Sequence, residues 1–277
     1  MKRQAIEKLY EWKNSAGRKP LIIRGARQVG KTWLMKEFGR LAFKNIVYIN
    51  FDSNSDIAQL FAGNLDIPRL ISGLEIFSRN KIVPQETLLI FDEVQEAPRA
   101  LTSLKYFCEE APEYAIVAAG SLLGVAMHQG TSFPVGKVNF LDLYPMSFTE
   151  FLNATGNEQL TELLQKGDWQ LITGLKDRFI DLLRLYYYIG GMPEAVQCYL
   201  DEKDVFKVRE VQKRILDAYE QDFSKHAPAN VVARIRMVWQ SIPSQLAKEN
   251  RNFVYGSLRK GARAKDFELA IQWRKKP

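Results

Sequence analysis

Residues 21–32, LIIRGARQVGKT, constrain this chain more than any other stretch. Leu21-Ile22-Ile23 has the apolar character of a buried strand, and Trp33-Leu34-Met35-Lys36-Glu37-Phe38 carries helical periodicity. Between them stands Gly25-x-x-x-x-Gly30-Lys31-Thr32. Strand, glycine-bounded loop and helix in that order are the context a phosphate-binding loop requires. Gly25 and Gly30 let the backbone curl so that successive N–H groups point inward, and the following helix adds unsatisfied donors and the positive end of its dipole. The candidate phosphate contacts are therefore Gly25, Ala26, Arg27, Gln28, Val29, Gly30, Lys31 and Thr32, with Trp33 opening the helix. Lys31 is expected to reach the β- and γ-phosphates, and the Thr32 hydroxyl to hold Mg²⁺. A βα turn that matches this spacing by chance is the alternative, and the flanking strand and helix speak against it.

A second stretch gives the loop a counterpart. Leu88-Leu89-Ile90-Phe91 reads as a buried parallel strand that ends in Asp92-Glu93. In open α/β sheets ligands bind at the carboxyl ends of the strands. An Asp there can hold Mg²⁺, and a neighbouring Glu can polarise the water that attacks a γ-phosphate. Residues 46–51 supply a strand between loop and acids in sequence, and a third strand follows the acids at 114–119, its carboxyl end at Gly120-Ser121 expected next to Asp92. Ser121 is a candidate for contact with the γ-phosphate or the attacking water, and equally for the cap of a helix. Residues 138–143 read as a fifth strand, and Ser147-Phe148-Thr149-Glu150 has the spacing of a capping box.

The remainder reads as helical. Residues 150–200 break at Gly190-Gly191-Met192-Pro193, a helix-to-helix turn, and a further helix spans 200–224. The last segment suggests helices at 230–240, 244–248 (after Ile242-Pro243) and 262–273, the latter pair resembling a helix-turn-helix. Arg263, Lys265, Asp266 and Arg274 then lie on the polar side of the second helix. Residues 1–200 hold 22 Lys and Arg against 22 Asp and Glu, whereas residues 225–277 hold 12 against 3. Such a basic segment suits nucleic-acid phosphates, although three-helix folds also serve as protein docking modules.

At 277 residues the chain allows one or two domains at about 100–200 residues each. No run approaches the ~18 apolar residues of a membrane span, so no membrane partner is expected. The charged N-terminus lacks the apolar stretch of a signal peptide. Two cysteines, Cys108 and Cys198, and two histidines, His128 and His226, are too scattered for a zinc site. They fit a reducing cytoplasm.

In these residues the chain resembles the prokaryotic AAA-type ATPases of the ASCE class, which join a P-loop domain to a C-terminal region of unknown function. The resemblance rests on GARQVGKT (25–32), LLIFDEVQ (88–95), AAGSLL (118–123), LYPMSFTEFL (143–152) and GGMPEAV (190–196). PSQLAKENRNFVY (243–255) and GARAKDFELAIQW (261–273) extend it over nearly the whole chain. It implies an α/β P-loop domain with a five-stranded parallel sheet flanked by helices (1–150), an all-helical lid (151–224) and a partial winged helix (225–277). It further implies ATP as the nucleotide, hydrolysed with Mg²⁺ to drive or gate a conformational change. Lys31, Ser121 and Glu93 would be the catalytic residues, Thr32 and Asp92 the metal ligands, and Gly191-Met192-Pro193 would pack near the adenine. The alternatives are a slowly hydrolysing switch or a DNA-binding ATPase, working as a homo-oligomer or with a protein partner. Family members continue with the strands of a wing and a further domain. The expectation here is an incomplete wing and none of that domain's activity.

Overall fold

The computed structural model describes residues 1–120, 133–227, 229–247, 252–259 and 261–275; Ser121 lies outside them. The chain forms two compact units, Met1–Val211 and Gln212–Pro277.

The first unit is built on strands that alternate with helices. In chain order these are α1 (Ala5–Asn14), β1 (Leu21–Arg24), α2 (Lys31–Ala42), β2 (Asn45–Asn50), α3 (Ser55–Ala62), α4 (Ile67–Ser78), β3 (Thr87–Asp92), α5 (Pro98–Glu110), β4 (Ala115–Ala119) and β5 (Asn139–Asp142). The strands form one sheet in the order β2-β3-β4-β1-β5, every pairing parallel. Side chains alternate between the faces of a strand, and both faces here are apolar, as a sheet covered on two sides requires. Ile22, Val47, Ile49, Leu89, Phe91, Ile116 and Ala118 face α3, α4 and α5. Leu21, Ile23, Leu88, Ile90, Ala115, Val117 and Ala119 face α1 and α2. α1 joins this second layer through Ile6, Leu9 and Trp12, one buried residue per turn.

The order of strands sets the site. The strand that lies between β1 and β3 is β4, residues 115–119, whereas β2 takes the edge beyond β3. Interposition in space thus differs from interposition in sequence, where residues 46–51 stand between loop and acids. Because all five strands run the same way, the loop after β1 and the acids at the end of β3 emerge at one edge of the sheet.

Beyond the sheet the first unit is helical: α6 (Phe148–Ala154), α7 (Glu158–Lys166), α8 (Trp169–Gly174), α9 (Lys176–Ile189), α10 (Pro193–Glu202) and the start of α11 (Val205–His226). The expected capping box is formed: Ser147 Oγ accepts from the Glu150 N–H, and Glu150 Oε2 from the Ser147 N–H at 2.9 Å. A small core of Leu152, Leu160 and Phe179 holds α6, α7 and α9 together.

In the second unit Phe223, Val231, Ile235, Val238, Phe267 and Ala270 form a core between the end of α11, α12 (Ala229–Leu246) and α13 (Ala264–Lys275). Trp239 stacks on Tyr219, with ring centroids 5.8 Å apart. The separate helix expected from Ser244 is not formed. α12 runs through Pro243, and helical bonding resumes at once, with the Ala247 N–H donating to the Pro243 carbonyl at 3.0 Å. Proline removes one helical hydrogen bond, but the buried stripe Val231, Ile235 and Val238 keeps α12 seated on Phe267 and Ala270. Tertiary packing outweighs the local breaker. Among the described residues no helix is long and apolar enough to cross a membrane.

Candidate functional site

The loop between β1 and α2 is shaped by close contact from the outset. A Cβ on Gly25 would lie 2.2 Å from the Leu143 carbonyl oxygen, so only glycine fits between β1 and the segment after β5. Gly25→Ala is expected to lower thermal stability by about 1–3 kcal/mol, the usual cost of overpacking, read as a drop in Tm. Gln28 and Gly30 both take left-handed backbone, φ 63° and 91°. Val29 turns its side chain into the core, while Ala26, Gln28 and Trp33 are exposed and Arg27 is half-buried. α2 starts on Gly30 with no side-chain cap and no acidic residue in its first turn. Its N-terminal N–H groups therefore have no carboxylate or hydroxyl of a cap competing with an anion.

Lys31 is buried, 7% exposed, and its Nζ donates to the carbonyl oxygens of Gly25 and Ala26, both at 2.8 Å. Burial pulls its pKa below the ordinary lysine value; Glu93 and Asp92 pull the other way, and Arg27 adds to the lowering. The loop lysine and the two acids of β3 therefore share one electrostatic neighbourhood. Thr32 makes the direct link: its hydroxyl donates to Asp92 Oδ2 at 2.6 Å.

Asp92 is 3% exposed and held on both oxygens. Oδ2 also accepts from the Tyr48 hydroxyl at 2.9 Å, and Oδ1 accepts from the Glu93 N–H at 3.1 Å. Burial raises the Tyr48 pKa against a hydrogen bond from Asn50, and the charge of Asp92 raises it further, so the phenol remains a donor at neutral pH. Glu93 follows in left-handed backbone, φ 51°, and its Oε2 accepts from Gln95 Nε2 at 2.6 Å. Hydroxyl and carboxylate oxygens suit Mg²⁺, and Thr32 Oγ1 and Asp92 Oδ2 already converge to hydrogen-bonding distance, so this pair fits such an ion.

The turn 190–193 reaches the loop from another side. Gly191 donates closeness rather than flexibility: a Cβ there would lie 2.3 Å from the Met146 carbonyl oxygen, and the Met146 N–H donates to the Gly191 carbonyl at 2.7 Å. The Tyr186 hydroxyl donates to the same Met146 carbonyl at 2.7 Å. These contacts seat Pro193 next to Gly30, where its Cγ would be 3.7 Å from a Cβ. A cleft of about 260 Å³ opens there, lined by Arg3, Gly30, Trp33, Pro193, Glu194 and Gln197.

The structure thus gathers residues 25–33, Asp92 and Glu93 at one sheet edge and brings Pro193 to the loop. Tyr48, Gln95 and Arg3 belong to the same surroundings, and sequence reading misses them. For Tyr48 a signal exists: it lies two residues before Asn50, which pairs with Asp92 in the parallel register, and so shares that residue's face.

Residues 17–152 match a family model described as an AAA domain, and residues 180–274 match a domain of unknown function. No curated protein matches the chain. Among solved structures the chain is similar to a Walker-type ATPase of Pyrococcus abyssi, with 14% identity and a TM-score of 0.57 over 99% of this chain and 89% of that one. It is also similar to AMPPCP-bound DnaA of Aquifex aeolicus, with 15% identity and a TM-score of 0.43 over 99% and 86%. At such identity the first likeness is one of fold.

Proposed function

We propose, from the match of residues 17–152 to an AAA domain, that this chain is an AAA-type P-loop ATPase that binds ATP between the loop 25–32 and the acids of β3 and hydrolyses it to ADP and phosphate. The observation that carries the reading is the 2.6 Å bond from the Thr32 hydroxyl to Asp92 beside the buried Lys31. Two segments some sixty residues apart converge on one point with a cation, a hydroxyl and two carboxylates.

Each residue then has a task. The Lys31 ammonium rests on two neutral carbonyls, and an anionic phosphate oxygen is the stronger acceptor. The N–H groups of the loop and of the first turn of α2 receive the remaining phosphate oxygens. Thr32 and Asp92 would hold Mg²⁺, which neutralises charge on the β- and γ-phosphates when bound. Glu93 accepts a proton from water as the water oxygen bonds to the γ-phosphorus, and the bond to the bridging oxygen breaks to release ADP. Gln95 orients the carboxylate for that transfer. Trp33 and Pro193, which border the cleft beside Gly30, give the base an apolar seat. The test is steady-state release of phosphate from ATP with and without Mg²⁺, set against a single-turnover measurement. Multiple turnovers that require Mg²⁺ support the reading. A single turnover followed by retained ADP favours a nucleotide-gated switch, and no cleavage in either format overturns hydrolysis.

The second unit supports a further role. Arg234, Arg236, Arg259, Arg263 and Lys265 are all exposed, which suits contact with nucleic-acid phosphates. Five such contacts would weaken duplex binding roughly 500-fold for a fourfold rise in salt. A titration at two salt concentrations checks this, and salt-insensitive or absent binding removes the DNA reading.

A further inference from the structure

Arg3 has no part in the chemistry just described, yet its guanidinium is buried against the loop and engaged along every edge. Nε donates to Glu150 Oε1 at 3.1 Å, Nη1 to the Val29 carbonyl at 2.9 Å and Nη2 to the Tyr144 carbonyl at 2.7 Å. Glu150 is fixed in turn, because Oε1 also accepts from the Gln4 N–H at 2.7 Å and Oε2 from the Ser147 N–H at 2.9 Å. Both partners of the ion pair are nearly inaccessible, 5% and 7%. A buried pair of this kind is weak support for stability by itself, since desolvation offsets most of the attraction. Its placement is more informative.

The Val29 carbonyl belongs to the peptide that joins Val29 to Gly30. A trans peptide is planar, with C=O and N–H on opposite sides. Anchoring that carbonyl on Arg3 therefore turns the Gly30 N–H to the side away from Arg3. Gly30, in left-handed backbone at φ 91°, offers little local resistance to rotation of this plane, so an anchor from outside the loop is needed to fix it. We propose that Arg3 is a positioning residue for phosphate binding: it locks the Val29–Gly30 peptide so that the Gly30 N–H is presented to bound phosphate, and Glu150 holds Arg3 in place. The proposal rests on the nucleotide-binding reading above.

The test compares ATP with tripolyphosphate, which carries the phosphates without the base, on the full chain and on Arg3→Gln, Arg3→Lys and Glu150→Gln. Arg3→Gln is expected to weaken both ligands alike, by about tenfold, the usual worth of a charge-assisted hydrogen bond. Arg3→Lys, which retains one cationic donor toward Val29, is expected to recover part of the loss. If Arg3 merely borders the cleft, ATP weakens and tripolyphosphate does not, and the proposal falls. It falls equally if Arg3→Gln lowers Tm while both affinities stay at the parental value. Should Arg3→Gln fail to fold, Glu150→Gln decides, because it removes the charge partner and keeps the side-chain shape. A common loss of about threefold for both ligands supports the positioning role, and unchanged affinities overturn it. A parent chain that binds neither ligand would instead sink the nucleotide reading on which the proposal stands.

Discussion

Glu93→Gln is expected to bind ATP within about threefold of the parent and to hydrolyse it about 10²–10⁴-fold more slowly, the usual worth of a positioned general base. The separation of the two effects follows from geometry. Glu93 lies beyond Asp92 at the end of β3, whereas the phosphate donors are the N–H groups of the loop 25–32 and the Lys31 ammonium, so removing its charge leaves those donors in place. The amide oxygen of a glutamine can still accept from Gln95, which keeps the side chain where it is. It cannot take up a proton from water. Binding measured by titration beside phosphate release checks both halves, and hydrolysis at the parental rate would remove Glu93 as the base.

Lys31→Ala is expected to weaken ATP by at least about 100-fold, since it deletes a charge-assisted contact in a buried setting. The fold should tolerate the change. Lys31 is held in the loop at a desolvation cost that pulls its pKa down, and its native partners are two carbonyls of a partly exposed loop. Tm is therefore expected to stay near the parental value while affinity collapses. A protein that loses both together would assign Lys31 a structural role instead.

What the sequence makes legible is local. The strand, loop and helix of residues 21–42, the buried run ending in Asp92-Glu93 and the capping box at Ser147 are each written in adjacent residues, and the structure has all three elements where the pattern puts them. The sheet edge shared by loop and acids follows from parallel pairing. The contacts that finish the site are not local. Tyr48 reaches Asp92 only through the register of β2 on β3, and Arg3 reaches Val29 from a position 26 residues earlier in the chain. Spacing places Tyr48 on the face of Asn50 only once that register is known, and no spacing marks Arg3. The double glycine before Met192 reads as a turn, whereas its second member is there for contact with the Met146 backbone. Pro243 misleads in the opposite sense, because a breaker in sequence is overruled by the packed face of α12.

The convergence of Lys31, Thr32 and Asp92 on a bound triphosphate is tested most directly by calorimetric titration of the full chain with ATP in the presence of Mg²⁺, run in parallel on Lys31→Ala. Saturable binding of one ATP per chain, lost in the variant, is the result expected. No heat of binding in the parent, or the same affinity in both proteins, would contradict it.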